Sequence, residues 1–482
     1  MKPGQRVSHP AFGAGIVRAV NLTGPRPRAH VDFGYTRAWV VLEALEVLES
    51  APTPEPDSAE PCDPPTDNPT QWTTESPPAT AGRGGDRTAL SPFTRSETEA
   101  RKGITALRLG QVLEAQALQL SVGTDALQVR LQQALARALS GRPTLLLIDG
   151  AWGGGKTHAL TLLQALARSQ GMATSSTVMD GIAVTLSEPM QLMESITSSL
   201  RLSANSSDDG IGHLLRAAKL EKKLGNLRAH GAHEIADALD RLPERAFDDP
   251  EALQCIEDYF AFSLSTTQVR RRLDILGYEA AAPPVLRARW VAERPKAFAV
   301  MLKCWAQTMA VMGSKGLLIV IDELDVEYAS TAATNRTSGG LRARRRAMLE
   351  QVSGLSAHNA PLLLAFASAP AGPDVESEND AVEDIREAIG PGLVHLKVAN
   401  PSPDDLKQLL GKLAGLYEAA YPAQPLGITG QRASQLFAGL HARYRQAPSP
   451  VPRHFVRTAL ESFDLLTVGA RPFEDVLRLL KA

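Results

Sequence analysis

Four runs of this chain are apolar at nearly every position, and each gives way to a turn or a polar residue. They are Leu145–Ile148, Gly316–Ile321, Pro361–Ala367 and Gly392–Leu396. A strand without alternation has both faces covered. The four runs therefore predict a parallel sheet between helical layers, with chemistry at the strands' carboxyl ends. A more polar β-leaning run covers Thr174–Leu186. Between these runs the period becomes helical. Leu107–Leu120, Asp125–Leu139 and His158–Arg168 carry Leu, Val and Ala at helical spacing, and a long helical insertion fills roughly 190–310. Helical segments at 402–421, 429–445, 452–463 and 472–481 follow the last strand.

The first 49 residues follow another pattern. Short runs alternate, Arg6–His9, Gly15–Val20, Ala29–Phe33 and Ala38–Val41, with Gly and Pro between them. So short a segment cannot hold two packed sheets, and a five-strand, SH3-like β-barrel is the expected solution. Ala51–Ser91 is dense in Pro, Thr, Ser, Asp and Glu and almost free of large aliphatics. It cannot bury enough apolar surface to offset its ordering entropy, so it reads as a flexible linker. The expected organisation is a barrel at 1–49, a linker at 50–100, an α/β core at 101–400 containing the insertion, and a helical lid at 401–482.

The first apolar run leads into Gly150-Ala151-Trp152-Gly153-Gly154-Gly155-Lys156-Thr157, and a helix follows. Strand, glycine-rich loop and helix in that order form a phosphate-binding loop. The glycines let backbone N–H groups wrap a phosphate, Lys156 reaches the β/γ-phosphates, and Thr157 ligates Mg²⁺. The candidate nucleotide contacts are Gly150, Ala151, Trp152, Gly153, Gly154, Gly155, Lys156, Thr157 and His158. The second run ends in Asp322-Glu323. An acid at the tip of a buried strand is costly unless it faces a cation or a partner. Asp322 is thus the second candidate Mg²⁺ ligand, and Glu323 stands where it can polarise a water. Asp325 and Glu327, just beyond, read as turn or surface acids.

Ser368, after the third run, is a candidate sensor of the γ-phosphate. Arg453, at the start of a helix opened by Pro452, is a candidate second sensor reaching down from the lid. Lys156, Asp322, Glu323, Ser368 and Arg453 make up the expected catalytic set. Two arginine clusters, Arg342, Arg344, Arg345 and Arg346, and Arg270, Arg271 and Arg272, together with Arg386, offer arginine fingers or nucleic-acid contacts.

Composition narrows the class. Over 482 residues the net charge is −2, which gives no global field for nucleic acid or membrane. The cysteines, Cys62, Cys255 and Cys304, match neither a zinc spacing nor a disulfide framework. With no signal-peptide pattern and no run of apolar residues long enough to span a bilayer, a soluble, cytoplasmic protein without membrane contact is expected.

Two resemblances follow from these residues. The segment Pro3–Val17, with a later Val31-Asp32-Phe33 and Trp39, resembles the Tudor/SH3-like modules at one end of some bacterial helicases and transcription regulators, which implies a contact with RNA polymerase or nucleic acid, with a generic protein-contact barrel as the alternative. Val122-Gly123-Thr124-Asp125-Ala126-Leu127, the phosphate loop, Val320–Asp325 with its Arg-rich sequel, Phe366–Pro370, Pro403-Asp404-Asp405-Leu406 and Pro452-Arg453 carry the second. Through them residues about 103–465 resemble the ATP-binding proteins of BREX-type bacterial phage-defence systems, the BrxD-like group especially. That family belongs to the AAA+/origin-recognition-like ATPases. Trp152 departs from it, since a smaller or different aromatic residue is expected there. The resemblance implies an α/β fold, an AAA+-like P-loop NTPase with a helical lid, using ATP and Mg²⁺ in a DNA-associated defence complex. A homo-oligomer or companion proteins such as a helicase are the implied partners. Two alternatives stand beside it: a nucleotide-switched scaffold with little turnover, and a transcription- or repair-coupled factor docking through its barrel.

Overall fold

The computed structural model describes residues 5–9, 13–21, 28–32, 37–42, 45–47, 96–202, 211–278, 291–333, 338–370, 380–447 and 451–481. The chain divides into two compact units, Met1–Arg87 and Thr88–Ala482. The expected linker stretch Ala51–Ser91 lies outside the described residues.

The first unit is a five-stranded antiparallel sheet of order β4-β3-β2-β1-β5. Its strands are β1 (Arg6–His9), β2 (Gly13–Asn21), β3 (Arg28–Asp32), β4 (Arg37–Val41) and β5 (Glu46–Val47). The register of β2 against β3 shifts between Val17 and Ala19, an irregularity that bends and twists a strand. Val7, Val17, Ala29, Val31 and Leu45 form its buried core.

The second unit is built on a five-stranded parallel sheet: β6 (Thr144–Asp149), β7 (Ala173–Val178), β8 (Leu317–Asp322), β9 (Leu362–Ser368) and β10 (Leu393–Lys397). The order is β10-β6-β9-β8-β7, so β9 lies between the strand that feeds the glycine loop and the strand that ends in Asp322. Every residue of β6, β8 and β9 is buried. Alternate side chains enter opposite cores, as the pleat requires. Leu145, Leu147, Ile319, Ile321, Leu364 and Phe366 join one core, and Leu146, Ile148, Leu318, Val320, Leu363 and Ala365 join the other.

Helices cover both faces. α1 (Glu97–Arg108), α2 (Glu114–Leu120) and α3 (Asp125–Leu139) precede β6, and α4 (Lys156–Ser169) follows the loop. The insertion supplies α5 (Pro189–Ser198), α6 (Ile211–Leu220), α7 (Leu224–Ala229), α8 (His233–Asp240), α9 (Pro250–Phe260), α10 (Thr266–Ile275) and α11 (Arg294–Val311). After β8 come α12 (Leu324–Ala333) and α13 (Ser338–Ser353), and α14 (Ala381–Ile389) precedes β10. The C-terminal helices are α15 (Pro403–Ala420), α16 (Gln431–Gln446), α17 (Pro452–Thr467) and α18 (Phe473–Lys481). Among the described residues, no helix is long and apolar enough to cross a membrane.

Two elements differ from the sequence reading. Leu107–Leu120 is not one helix. α1 stops at Arg108, Gly110 turns with φ +74°, and the chain restarts in α2. The β run at Thr174–Leu186 ends early, at Val178. Asp180 Oδ1 then accepts the N–H groups of Ile182, Ala183 and Val184 at 2.7–2.9 Å, which closes a turn where a strand would continue.

α1 also packs in an unexpected place. Ala100, Ile104 and Leu107 share a core with Leu406, Leu413 and Leu416 of α15 and Phe455 and Phe463 of α17. Polar ties follow the same route. Arg101 Nε donates to Ala420 O at 2.9 Å, and Arg108 Nη2 to Asp464 Oδ1 at 2.7 Å. The bundle beside the sheet therefore draws on both ends of the second unit.

Candidate functional site

β6 delivers the chain to Gly150, and α4 takes it away from Gly155, its N-cap residue. Gly153 (φ +75°) and Gly155 (φ +106°) hold left-handed backbone that a side chain would strain. A Cβ on Gly154 would stand 2.9 Å from Ala151 O, so the loop cannot close around a larger residue there. Gly150 is buried and Ala151 and Trp152 are exposed. Lys156 is buried, and its Nζ donates to Gly150 O at 3.0 Å and Ala151 O at 3.3 Å. Burial lowers the pKa of this ammonium, against the opposing charges of Asp325, Asp322 and Glu323.

The strand tips bring the second half of the site within touching distance. Thr157 Oγ1 donates to Asp322 Oδ2 at 2.7 Å, joining the first turn of α4 to the end of β8. The other carboxylate oxygen, Oδ1, accepts the N–H of Glu323 at 2.8 Å. Glu323 itself has φ +58°, a left-handed conformation rare for a glutamate and typical of functional sites. Burial raises the pKa of Asp322, opposed chiefly by the hydrogen bond from Thr157. Glu323 is raised by burial, then by Asp322 and Asp325, with Arg453 and Lys156 opposing.

Ser368 aligns with Asp149 in the parallel register and is fully buried. Its hydroxyl is turned to Ala369 O at 3.2 Å and Asp325 Oδ1 at 3.5 Å. Asp325 also accepts the N–H of Ala369 at 2.9 Å. Glu327 is buried and accepts the N–H groups of Leu186 at 2.7 Å and Ser187 at 3.3 Å. The sequence reading has them as turn or surface acids; both accept backbone N–H groups, and Glu327 is buried. The turn into α12 points one acid at the tip of β9 and the other at the connection after β7.

His158 is directed away from the loop. Ser121 donates its hydroxyl proton to Ala117 O at 2.7 Å, so the His158 Nε2–H donates to Ser121 Oγ at 2.8 Å. Burial, then the nearby charge of Lys412, pushes the His158 pKa down to about 4. Lys412, on α15, donates to Ser121 O. His158 thus belongs to a joint between α4, the end of α2 and α15.

The arginine candidates are mostly engaged. Arg342 pairs with Asp384 at 3.5 Å, Arg344 with Glu188 at 3.3 Å, Arg346 with Glu350 at 3.1 Å and Arg386 with Glu383 at 3.1 Å. Arg345 is 1% exposed, its guanidinium 3.8 Å from the centroid of the Tyr328 ring, and it cannot serve as a finger. On α10, Arg270 lies 3.9 Å from Asp274 and Arg272 lies 3.5 Å from Asp258. Arg453 is exposed at the start of α17, stacked over Trp152.

The donor set fits a nucleoside triphosphate with a hard divalent cation: a glycine cradle, a buried ammonium, and a hydroxyl and a carboxylate 2.7 Å apart. No curated protein matches the sequence. A chain of the E. coli MS115-1 HORMA:CdnC:Trip13 complex is similar over 76% of this chain and 91% of its own length, at 12% identity and a TM-score of 0.39. Residues 96–228, from α1 through the phosphate loop into the insertion, match the family described as BREX system ATP-binding protein BrxC/D. Over that segment, which carries the phosphate loop, this chain is similar to the BREX system ATP-binding proteins.

Proposed function

We propose that this protein hydrolyses ATP with Mg²⁺ and uses the cycle to move its lid within a bacterial anti-phage defence assembly. The observation that carries the reading is the 2.7 Å contact between Thr157 and Asp322, with Glu323 next in the chain. Lys156 holds the terminal phosphates, while Thr157 and Asp322 hold the cation. Mg²⁺, when bound there, neutralises the charge that develops on the phosphate oxygens. Glu323, its proton affinity raised by burial and by its acidic neighbours, accepts a proton from the attacking water. Asp325 keeps the tip of β9 against α12, which fixes Ser368 beside the loop. Arg453 reaches the phosphates from the lid. The antiparallel β4-β3-β2-β1-β5 sheet is read as an SH3-like barrel that docks DNA or a protein partner, supported by its meander order and small single core.

Steady-state ATP hydrolysis tests the proposal, with and without DNA, for the full chain, a chain lacking residues 1–49 and Glu323→Gln. The variant is expected to bind ATP and to lose at least about 100-fold in kcat, the usual contribution of a general base. Deleting 1–49 is expected to remove any stimulation by DNA and to leave basal turnover in place. A wild-type chain that binds ATP and never turns it over, with or without DNA, overturns the hydrolytic reading and makes the protein a nucleotide-switched scaffold.

A further inference from the structure

Trp152 is the one large apolar side chain of the phosphate loop, and 66% of its surface is open. Lone exposed apolar residues are ordinary, but this one has a cation resting on it. The Arg453 guanidinium lies 5.2 Å from the centroid of the indole ring, within cation–π range of the aromatic side chain that binds cations best.

Two contacts seat the start of α17 around this pair, one on the phosphate loop and one on the turn between α1 and α2. Val451, buried just ahead of Pro452, leaves so little room that a Cβ on Gly153 would stand 3.0 Å from its Cγ2. Arg453 Nη2 donates to Gly110 O at 3.5 Å, a long and weak bond. A Cβ on Gly110 would stand 3.0 Å from Arg453 Nε, so the glycine leaves the slot that the guanidinium fills. Arg453 forms no ion pair among the described residues. Its charge nevertheless acts on both Lys156 and Glu323.

We propose that Trp152 is a positioning residue for Arg453. Its ring parks the guanidinium at the mouth of the phosphate loop, and a rotation of the arginine side chain then hands it to the terminal phosphate of a bound nucleoside triphosphate. The inference rests on the nucleotide reading above and names how the lid senses the third phosphate. An exposed stack of this kind biases a side-chain population by about two- to fivefold. That is enough to hold Arg453 near the loop, and weak enough for a charge-assisted bond to phosphate to displace it. A diphosphate leaves the arginine on the ring.

The test uses the full chain, a non-hydrolysable ATP analogue and ADP, each with Mg²⁺. Subtracting the emission of Trp152→Phe isolates Trp152 among the five tryptophans. The analogue is expected to change Trp152 emission and ADP to leave it near the free value. Arg453→Ala is expected to abolish that difference. In turnover, Trp152→Ala is expected to lower kcat by about three- to tenfold with KM moved less than about twofold, and Trp152→Phe, which keeps a ring, to recover most of the loss. Equal emission changes with ADP and the analogue, or a Trp152→Ala chain with wild-type kcat, overturns the proposal. An analogue-specific signal in a chain that never hydrolyses ATP supports the role of Trp152 while the hydrolytic reading falls. Failure to bind either nucleotide overturns both.

Discussion

Glu323 is held at φ +58°, which costs an L-residue about 1–2 kcal/mol. The chain tolerates it because the Glu323 N–H is tied to Asp322 Oδ1. The glycine loop and the Asp-Glu pair are legible from sequence because each is a short local pattern fixed by one turn of backbone. His158 is not, since adjacency to Thr157 says nothing of which way the first turn of α4 faces. Its burial has a measurable consequence. The unfolded chain takes a proton near pH 6.5, whereas the folded chain resists protonation until about pH 4. Stability from this group is therefore complete above about pH 6.5 and falls as the pH drops towards 4. The slope approaches about 1.4 kcal/mol per unit and the total about 3 kcal/mol. Urea unfolding of wild type and His158→Gln at pH 7 and pH 5 isolates the term. The wild type is expected to lose more stability than the variant over that interval, and parallel losses would show that His158 titrates freely.

At the scale of elements, the fully apolar strands are legible because burial on both faces leaves no polar position. β7 is less so, since its buried Thr174 and Ser175 bond partners, Arg168 and the Ile196–Ser199 turn, that only the fold supplies. The break at Gly110 hides because Leu, Val and Ala keep helical spacing across it. Arg345 hides for the opposite reason, since a run of arginines reads as a solvated face. Its position on α13 instead buries it on Tyr328 of α12, where its charge also steadies the buried Glu327. Removing one member of a buried charged set leaves the other uncompensated. Arg345→Ala is expected to lower stability by about 3 kcal/mol, and Arg345→Met with Glu327→Gln to recover part of that loss. Denaturant midpoints of the two variants check this. An equal or larger loss in the double variant would mean that packing on Tyr328, and not charge, is what Arg345 supplies.

The second unit as a whole is a sheet with its own two cores and a bundle with a separate one. Helical periodicity announces that α1 buries a face, but not against what, and its partners lie some 300 residues away in α15 and α17. Ile104→Ala removes buried volume from that bundle and is expected to cost about 3 kcal/mol. Amide hydrogen exchange is expected to speed up in α15 and α17 and to stay slow in β6, β8 and β9. Equal acceleration in the sheet would mean that the cores unfold as one.

The packing of α1 also decides where a load enters this molecule. Whatever precedes Glu97 is joined to the bundle and not to the sheet, so in the proposed cycle a pull from that side would act on the part that closes over nucleotide. A tether attached to the moving half of a machine is a handle. In the proposed cycle, a load on the residues before Glu97 would be felt as tension at α15 and α17, and each closure would return it.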